Sequence, residues 1–365
     1  MKLTRTVFVD LKLPRHTARR SGLYPPCIQY LARSFALLSS YSPRPGSSSH
    51  PLSTMSHGIE ESKRAAAVQA VKENFPPDPH FVGIGSGTTI VYVVEAIKAL
   101  EQDVSRVGFV PTGSQSRQLI LDAGLKAVQF DSIPEKAVLD ICFDGADEVD
   151  EDLNCIKGGG ACLFQEKLVA MRSKKFICVA DHRKLQSRLL TSWPSIPIEV
   201  APIAARQVLV RLRELGSPSP HLREGHIPKA GPLKTDQDFF IIDAPFPRLL
   251  TSSDLKSTSA STPRHDDGVS NNGADNDSRS EGRGKDGIWE VEHLANAIKS
   301  IEGVLEVGIF SGRTGPEAIE AGTVGGQRPV ACYFGMVDGS VTVRKASPKV
   351  DDIKRKLEFE AKPTD

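Results

Sequence analysis

The sequence predicts an α/β fold: a doubly wound, mostly parallel sheet with a smaller α+β lid domain. Three observations carry this. Short apolar runs of strand length recur between residues 80 and 181, with helical patterns between several of them. Nearly every run ends in polar or glycine-rich residues. From Ile196 onward the alternation changes character.

The elements follow in order. EESKRAAAVQAVKENF repeats apolar residues at three- and four-residue spacing and reads as a helix. HFVGIG, from His80, is the first buried strand, and TTIVYVVEAIKALEQ is the helix after it. RVGFVPT (from Arg106), AVQF (from Ala127), LDICFD (from Leu139) and KFICVAD (from Lys175) read as further strands. Helices alternating with buried strands imply a parallel, Rossmann-like sheet. Beyond it, IPIEVAPIAARQVLVRLREL and WEVEHLANAIKSIEGVLEVGIF suggest a unit of strand, helix, strand and helix. PVACYFGMVDGSVTVRK is a hairpin around Asp338 and Gly339 that returns to the first domain.

Two segments stand outside this pattern. Residues 1–54 hold one acid, Asp10, against eight lysines and arginines, with many serines and prolines. That is the composition of a transit peptide, or of an extension ahead of a start at Met55. Residues 251–287 have almost no large apolar side chain and are expected to be a disordered surface insertion. The expected boundaries are therefore 1–54 for the arm, 55–193 plus 306–365 for the catalytic α/β domain, and 194–305 for the lid.

Composition narrows the function. At 365 residues with 39% hydrophobic content, the chain can bury a substantial core. A formal charge of +1 does not indicate nucleic acid, and no apolar run of membrane-spanning length is present. The six cysteines form no C-x-x-C pair and read as reduced core residues.

The polar strand ends matter because ligands bind outside the carboxyl ends of parallel strands. GIGSGTT, residues 83–89, lies between a strand and a helix. It lacks the third glycine of a dinucleotide fingerprint and the G-K-[ST] of a Walker loop. Backbone N–H groups and the hydroxyls of Ser86, Thr88 and Thr89 suit a compact phosphate monoester. A tight turn with hydroxyl capping is the competing account.

DGADEVDEDLNCIKGGGACLFQEK, residues 144–167, holds seven carboxylates and three consecutive glycines. As a calcium loop from Asp150 it fails, with Cys155 at the glycine position and Ala161 at the glutamate position. It has no histidine for a transition metal. A solvated turn suits Glu151 and Asp152, and Glu148 and Asp150 read with them as a connection. It suits Asp144 poorly, because that residue ends a strand; Asp147 could face the same cleft. Acid–base chemistry on an anionic substrate is the remaining account. Lys157 and the N–H groups of Gly158, Gly159 and Gly160 would hold charge developing on oxygen, and Glu166 would act as general base.

Together GIGSGTT, the 144–167 segment, ADHRK and PIEVAPIA resemble the type A ribose-5-phosphate isomerase family, over residues 59–344 apart from the insertion. The resemblance implies interconversion of D-ribose 5-phosphate and D-ribulose 5-phosphate, without metal or organic cofactor. It implies Glu166 as the base between C1 and C2, and Lys157 with the 158–160 backbone as the enediolate clamp. Asp144 would serve ring opening and hydroxyl protons, with Asp147 beside it. Ser86, Gly87, Thr88 and Thr89 would line the pocket, and Lys63 and Lys184 would contact phosphate. It also implies a homodimer or homotetramer. The expected location is the cytoplasm, or an organelle if residues 1–54 are a transit peptide. The loop 311–329 has no place in this pattern.

Overall fold

The computed structural model describes residues 51–225, 230–255, 282–284, 286–323 and 325–347, with side chains from residue 58 on. Residues 1–50 of the expected arm lie outside the described residues. Its last four residues belong to the first helix, α1 (Pro51–Asn74), which starts at a proline whose missing N–H costs nothing in a first turn. Ala66, Ala67, Ala70 and Val71 form the buried face of α1.

The main sheet runs β13-β12-β6-β3-β1-β2. Its strands are β1 (Phe81–Ile84), β2 (Gly108–Pro111), β3 (Ile141–Asp144), β6 (Phe176–Asp181), β12 (Ala331–Gly335) and β13 (Val341–Lys345). All neighbours are parallel except the closing β12–β13 hairpin. β1, β2, β3, β6 and β12 are buried at almost every position, as a sheet covered on both faces requires. α2 (Thr88–Lys98) packs Ile90, Val93, Val94 and Ile97 into the core at helical spacing, and α3 (Ser114–Asp122) follows β2. The chain leaves β1 for β2 on one side, then returns to lay β3 on the other. That reversal opens a crevice at the carboxyl ends of β1 and β3.

AVQF is not a strand of this sheet. Ala127 makes a single bridge to Phe109, and the chain then turns into a 3-10 segment at Phe130–Ser132. β2 therefore stays at the edge.

A three-stranded antiparallel sheet joins β4 (Glu148–Val149), β5 (Cys155–Ile156) and β11 (Ile309–Phe310). A third sheet, β10-β7-β9-β8, is antiparallel throughout. It comprises β7 (Ile196–Val200), β8 (His221–Leu222), β9 (Phe240–Ala244) and β10 (Val304–Val307). α5 (Ala205–Glu214) and α6 (Val291–Lys299) pack Val208, Leu212, Leu294 and Ile298 against Ile196, Ile198 and Val200. This unit contains two strands, β8 and β9, more than the simple alternation suggested.

The insertion expected over 251–287 is ordered at both ends. Thr251 is fully buried, Asp254 pairs with Arg188, and Arg283 bridges Trp289. Polar side chains there are held by specific partners, which composition does not reveal. Residues 256–281 lie outside the described residues. The loop 311–329 carries α7 (Gly315–Glu320), whose capping box joins Thr314 and Glu317. Arg328 ties Glu317 to the Asp152 carbonyl, so the loop closes over the acidic turn. Among the described residues no helix is long and apolar enough to cross a membrane.

Candidate active site

A cleft of about 290 Å³ lies at the carboxyl edge of the main sheet. All four polar strand ends reach it: Ser86 to Thr89 after β1, Gln115 after β2, Gly145 to Asp147 after β3, and Asp181, Arg183 and Lys184 at the end of β6. Lys63 on α1, Lys157 and the glycine loop after β5, and Glu166 on α4 (Leu163–Met171) complete the lining.

The centre is a buried charge cluster. The Lys157 ammonium lies 3.0 Å from Asp144 Oδ2 and 3.4 Å from Glu166 Oε1, and all three side chains are 5% exposed or less. Lys157 also donates to the Gly145 carbonyl at 2.6 Å. Burial alone would weaken its hold on the proton, but the Asp144 and Glu166 carboxylates outweigh that and raise its pKa. Burial pushes Asp144 up to about 7, against the opposing pull of Lys157. Asp144 Oδ1 accepts from the N–H groups of Ser86 and Gly145, so the two strand ends are sewn together across the crevice.

That seam explains Gly85. A Cβ there would stand 1.9 Å from Asp144 Oδ1, so only glycine lets the β1 turn pass the carboxylate.

Glu166 stands in the first turn of α4. Its Oε1 accepts from the Ser86 hydroxyl at 2.7 Å, while Oε2 is buried without a hydrogen-bond partner among the described residues. One oxygen is thus held and the other is free to take a proton. Asp147 accepts from the Gly159 N–H at 2.7 Å, and burial raises its pKa.

The other end of the cleft suits a dianion. Gly87, the N-cap of α2, has no side chain to cap the helix, and among the described residues no side chain accepts from the N–H groups of its first turn. Lys63, 6% exposed, donates to Thr88 Oγ1 at 3.0 Å and to Glu60 at 2.8 Å. Lys184 lies 5.0 Å from the Trp193 ring centroid. Arg183 is committed to Asp181 through bonds of 2.7 and 2.8 Å.

The structure therefore brings Lys63, Ser86, Gly87, Thr88, Thr89, Asp147, Lys157, Gly158, Gly159, Gly160, Glu166 and Lys184 to one cleft, with Asp144 directly behind Lys157. Gln115, whose side chain accepts from the Gly87 N–H at 3.1 Å, was not singled out from sequence, and neither were Asp181 and Arg183. The strand-end rule pointed to their segments. It could not choose the residues.

Two readings of the acidic run need correction. Glu148 is not part of a solvated connection: it is fully buried and accepts from the N–H groups of Leu190, Thr191, Ser192 and Trp193. It thereby holds the loop that carries Trp193 under Lys184. Asp150 is also buried and gathers N–H donors from Asp152 and Asn154. Among the cysteines, Cys142, Cys155, Cys178 and Cys332 are core residues as expected. Cys162 is only part-buried and is the N-cap residue just before α4; Cys27 lies outside the described residues.

Comparison with known proteins agrees with this geometry. The profile of the family described as "Ribose 5-phosphate isomerase A (phosphoriboisomerase A)" matches residues 108–273. The ribose-5-phosphate isomerase of Schizosaccharomyces pombe is 42% identical over 290 residues, covering 79% of this chain and 85% of that protein. That of Mycosarcoma maydis is 40% identical, covering 81% and 84%. Among solved structures, ribose 5-phosphate isomerase A from Methanocaldococcus jannaschii superposes with a TM-score of 0.56 at 28% identity, over 78% of this chain and 99% of that one. A D-ribose-5-phosphate isomerase in complex with phospho-erythronic acid gives 0.57 at 28% identity, over 79% and 99%. The doubly wound sheet, the buried carboxylate–lysine–carboxylate cluster and these relatives agree: the chain belongs to the ribose 5-phosphate isomerase A family.

Proposed function

We propose how this cleft carries out the aldose–ketose isomerisation of D-ribose 5-phosphate and D-ribulose 5-phosphate. The observation that carries the reading is the Lys157 ammonium set between the buried carboxylates of Asp144 and Glu166, at 3.0 and 3.4 Å.

The phosphate sits at the α2 N-terminus, against Thr88, Thr89, Lys63 and Lys184. This remote clamp supplies orientation for the reacting carbons. Asp144, raised by burial to about 7, can give or take a proton near neutrality. It donates to the ring oxygen as the furanose opens, and its carboxylate takes up the proton that the anomeric hydroxyl loses in becoming the C1 carbonyl. The free Oε2 of Glu166 then removes the proton on C2. The C2–H electron pair forms the C1–C2 double bond, and the carbonyl electrons move onto O1. Lys157 and the glycine-loop N–H groups hold that enediolate charge. Glu166 returns its proton to C1 while Asp144 moves the hydroxyl proton from O2 to O1, which leaves the ketone at C2. One carboxylate over one face of the enediol serves both carbons. Asp147 keeps the Gly159 N–H in place.

The reading also includes a homodimer or homotetramer acting in the cytoplasm, as part of non-oxidative pentose phosphate metabolism. Sedimentation velocity checks the assembly. The test of the chemistry is isomerisation of ribose 5-phosphate by the full chain in EDTA. Turnover to ribulose 5-phosphate is expected, and activity that appears only on adding a divalent metal would sink this division of labour.

A further inference from the structure

Within the glycine loop one backbone bond is present, from the Ala161 N–H to the Gly158 carbonyl at 3.0 Å; the Gly159 carbonyl receives none. Three consecutive glycines otherwise leave the peptide planes little side-chain restraint, and Gly158 stands at φ 106°. Yet the chemistry above needs those planes aimed.

Arg223 stands behind the loop, just after β8, and does not line the cleft. Its guanidinium binds Asp243 of β9 through Nε at 2.7 Å and Nη2 at 2.6 Å. The remaining arm, Nη1, donates to the Gly158 carbonyl at 2.9 Å and the Gly159 carbonyl at 3.1 Å. The peptides are trans, so each carbonyl points opposite to the N–H that follows it. Holding both carbonyls on Arg223 therefore turns the N–H groups of Gly159 and Gly160 toward the cleft. The first is seen there, bonded to Asp147 at 2.7 Å. The second has no hydrogen-bond partner among the described residues. Two successive N–H groups facing one side make an anion-binding concavity.

We propose that Arg223, locked by Asp243, is a positioning residue for the isomerisation: from the lid sheet it sets the peptide planes of the glycine loop so that the Gly160 N–H faces the developing enediolate oxygen. This rests on the loop's role as charge clamp stated above. Arg223 acts through the backbone and touches no substrate. Lysine does not replace it, because a point charge cannot span a carboxylate and two carbonyls in one plane.

The experiment compares Arg223→Met, Arg223→Lys and Asp243→Asn in the full chain. It measures steady-state kinetics with ribose 5-phosphate and inhibition by phospho-erythronic acid and by inorganic phosphate. Losing one aimed donor predicts a kcat about 100-fold lower for Arg223→Met. KM should stay within about threefold, because the phosphate clamp is untouched. Affinity for phospho-erythronic acid, whose carboxylate bears charge on oxygen, should fall in parallel with kcat. Affinity for inorganic phosphate should hold. Arg223→Lys should lie between parent and Met. If Arg223→Met does not fold, Asp243→Asn keeps the guanidinium but loosens its orientation, and the same split must appear there. A kcat within threefold of the parent overturns the proposal, and so does a raised KM at unchanged kcat. Glu166→Gln run in parallel separates the two levels. If it is inactive while Arg223→Met is fully active, only the positioning role fails. If it is active, the clamp-and-base reading fails and this inference with it.

Discussion

Replacing Lys157 by Met removes the one cation inside a buried carboxylate pair while nearly keeping its shape. At an effective dielectric near 20, attractions across 3.0 and 3.4 Å are each worth about 5 kcal/mol gross. Desolvation of the ammonium cancels much of this, and breaking buried pairs typically costs about 3–5 kcal/mol net. The lost bond to the Gly145 carbonyl adds about 1 kcal/mol that does not depend on pH. The Coulomb part does depend on it. The folded pKa of Asp144 is already raised, from 3.8 to about 7, so its contribution to stability is complete below about pH 4 and is lost as pH rises through 7. Without Lys157 that pKa rises further, and the folded state resists ionisation over a wider range. The variant should therefore be about 3–5 kcal/mol less stable than the parent at pH 9, with a smaller gap at pH 5, where Asp144 is protonated and no longer draws on the ammonium. Urea unfolding at pH 5, 7 and 9 reads this directly. A stability gap of equal size at pH 5 and pH 9 would show that the cluster is held by packing and not by charge. Turnover should fall about 100- to 1000-fold at every pH, since the enediolate loses its cation.

The remaining predictions concern proton transfer and binding. Glu166→Gln keeps a polar partner for Ser86 but cannot accept the C2 proton; kcat should fall about 1000-fold or more with KM within threefold, and proton exchange at C2 in D2O, followed by NMR, should stop. Because ring opening uses protonated Asp144, kcat/KM for ribose 5-phosphate should fall as pH rises through about 7. Asp144→Asn should abolish that limb, and ribulose 5-phosphate should show the same limb in the parent, because the ratio of the two kcat/KM values is an equilibrium constant that does not change with pH. Lys184→Ala should raise KM at least about tenfold with kcat nearly unchanged, because it removes a phosphate contact away from the reacting carbons; unchanged KM with lost kcat would refute that role.

Much of the site was legible because parallel sheets place every strand end at one edge. Reading where the apolar runs stop was enough to gather Ser86, Asp144 and Lys184 into one neighbourhood. Lys157, the glycines and Glu166 followed from the chemistry that their residue types can perform together. The same logic failed where a side chain's direction mattered. Glu148 and Glu151 are the same residue type, yet one collects a ring of backbone N–H groups in the interior and the other sits at the surface. AVQF has the composition of a strand but pairs for a single residue. Two-residue strands such as β4 and β5 are too short to show any period, although they carry Lys157 to the cleft.

By itself the sequence determined the class of fold, the sheet edge where the candidate site lies, and the kinds of groups that meet there, because periodicity and residue chemistry are local properties. The tertiary structure alone decided how those groups divide their partners. Lys157 lies between Asp144 and Glu166, Gly85 makes room for a carboxylate 59 positions onward, and Arg223 reaches back 64 and 65 positions to aim two peptide planes. Such contacts join residues that no spacing rule connects, and only the packing of the chain in three dimensions sets their distances.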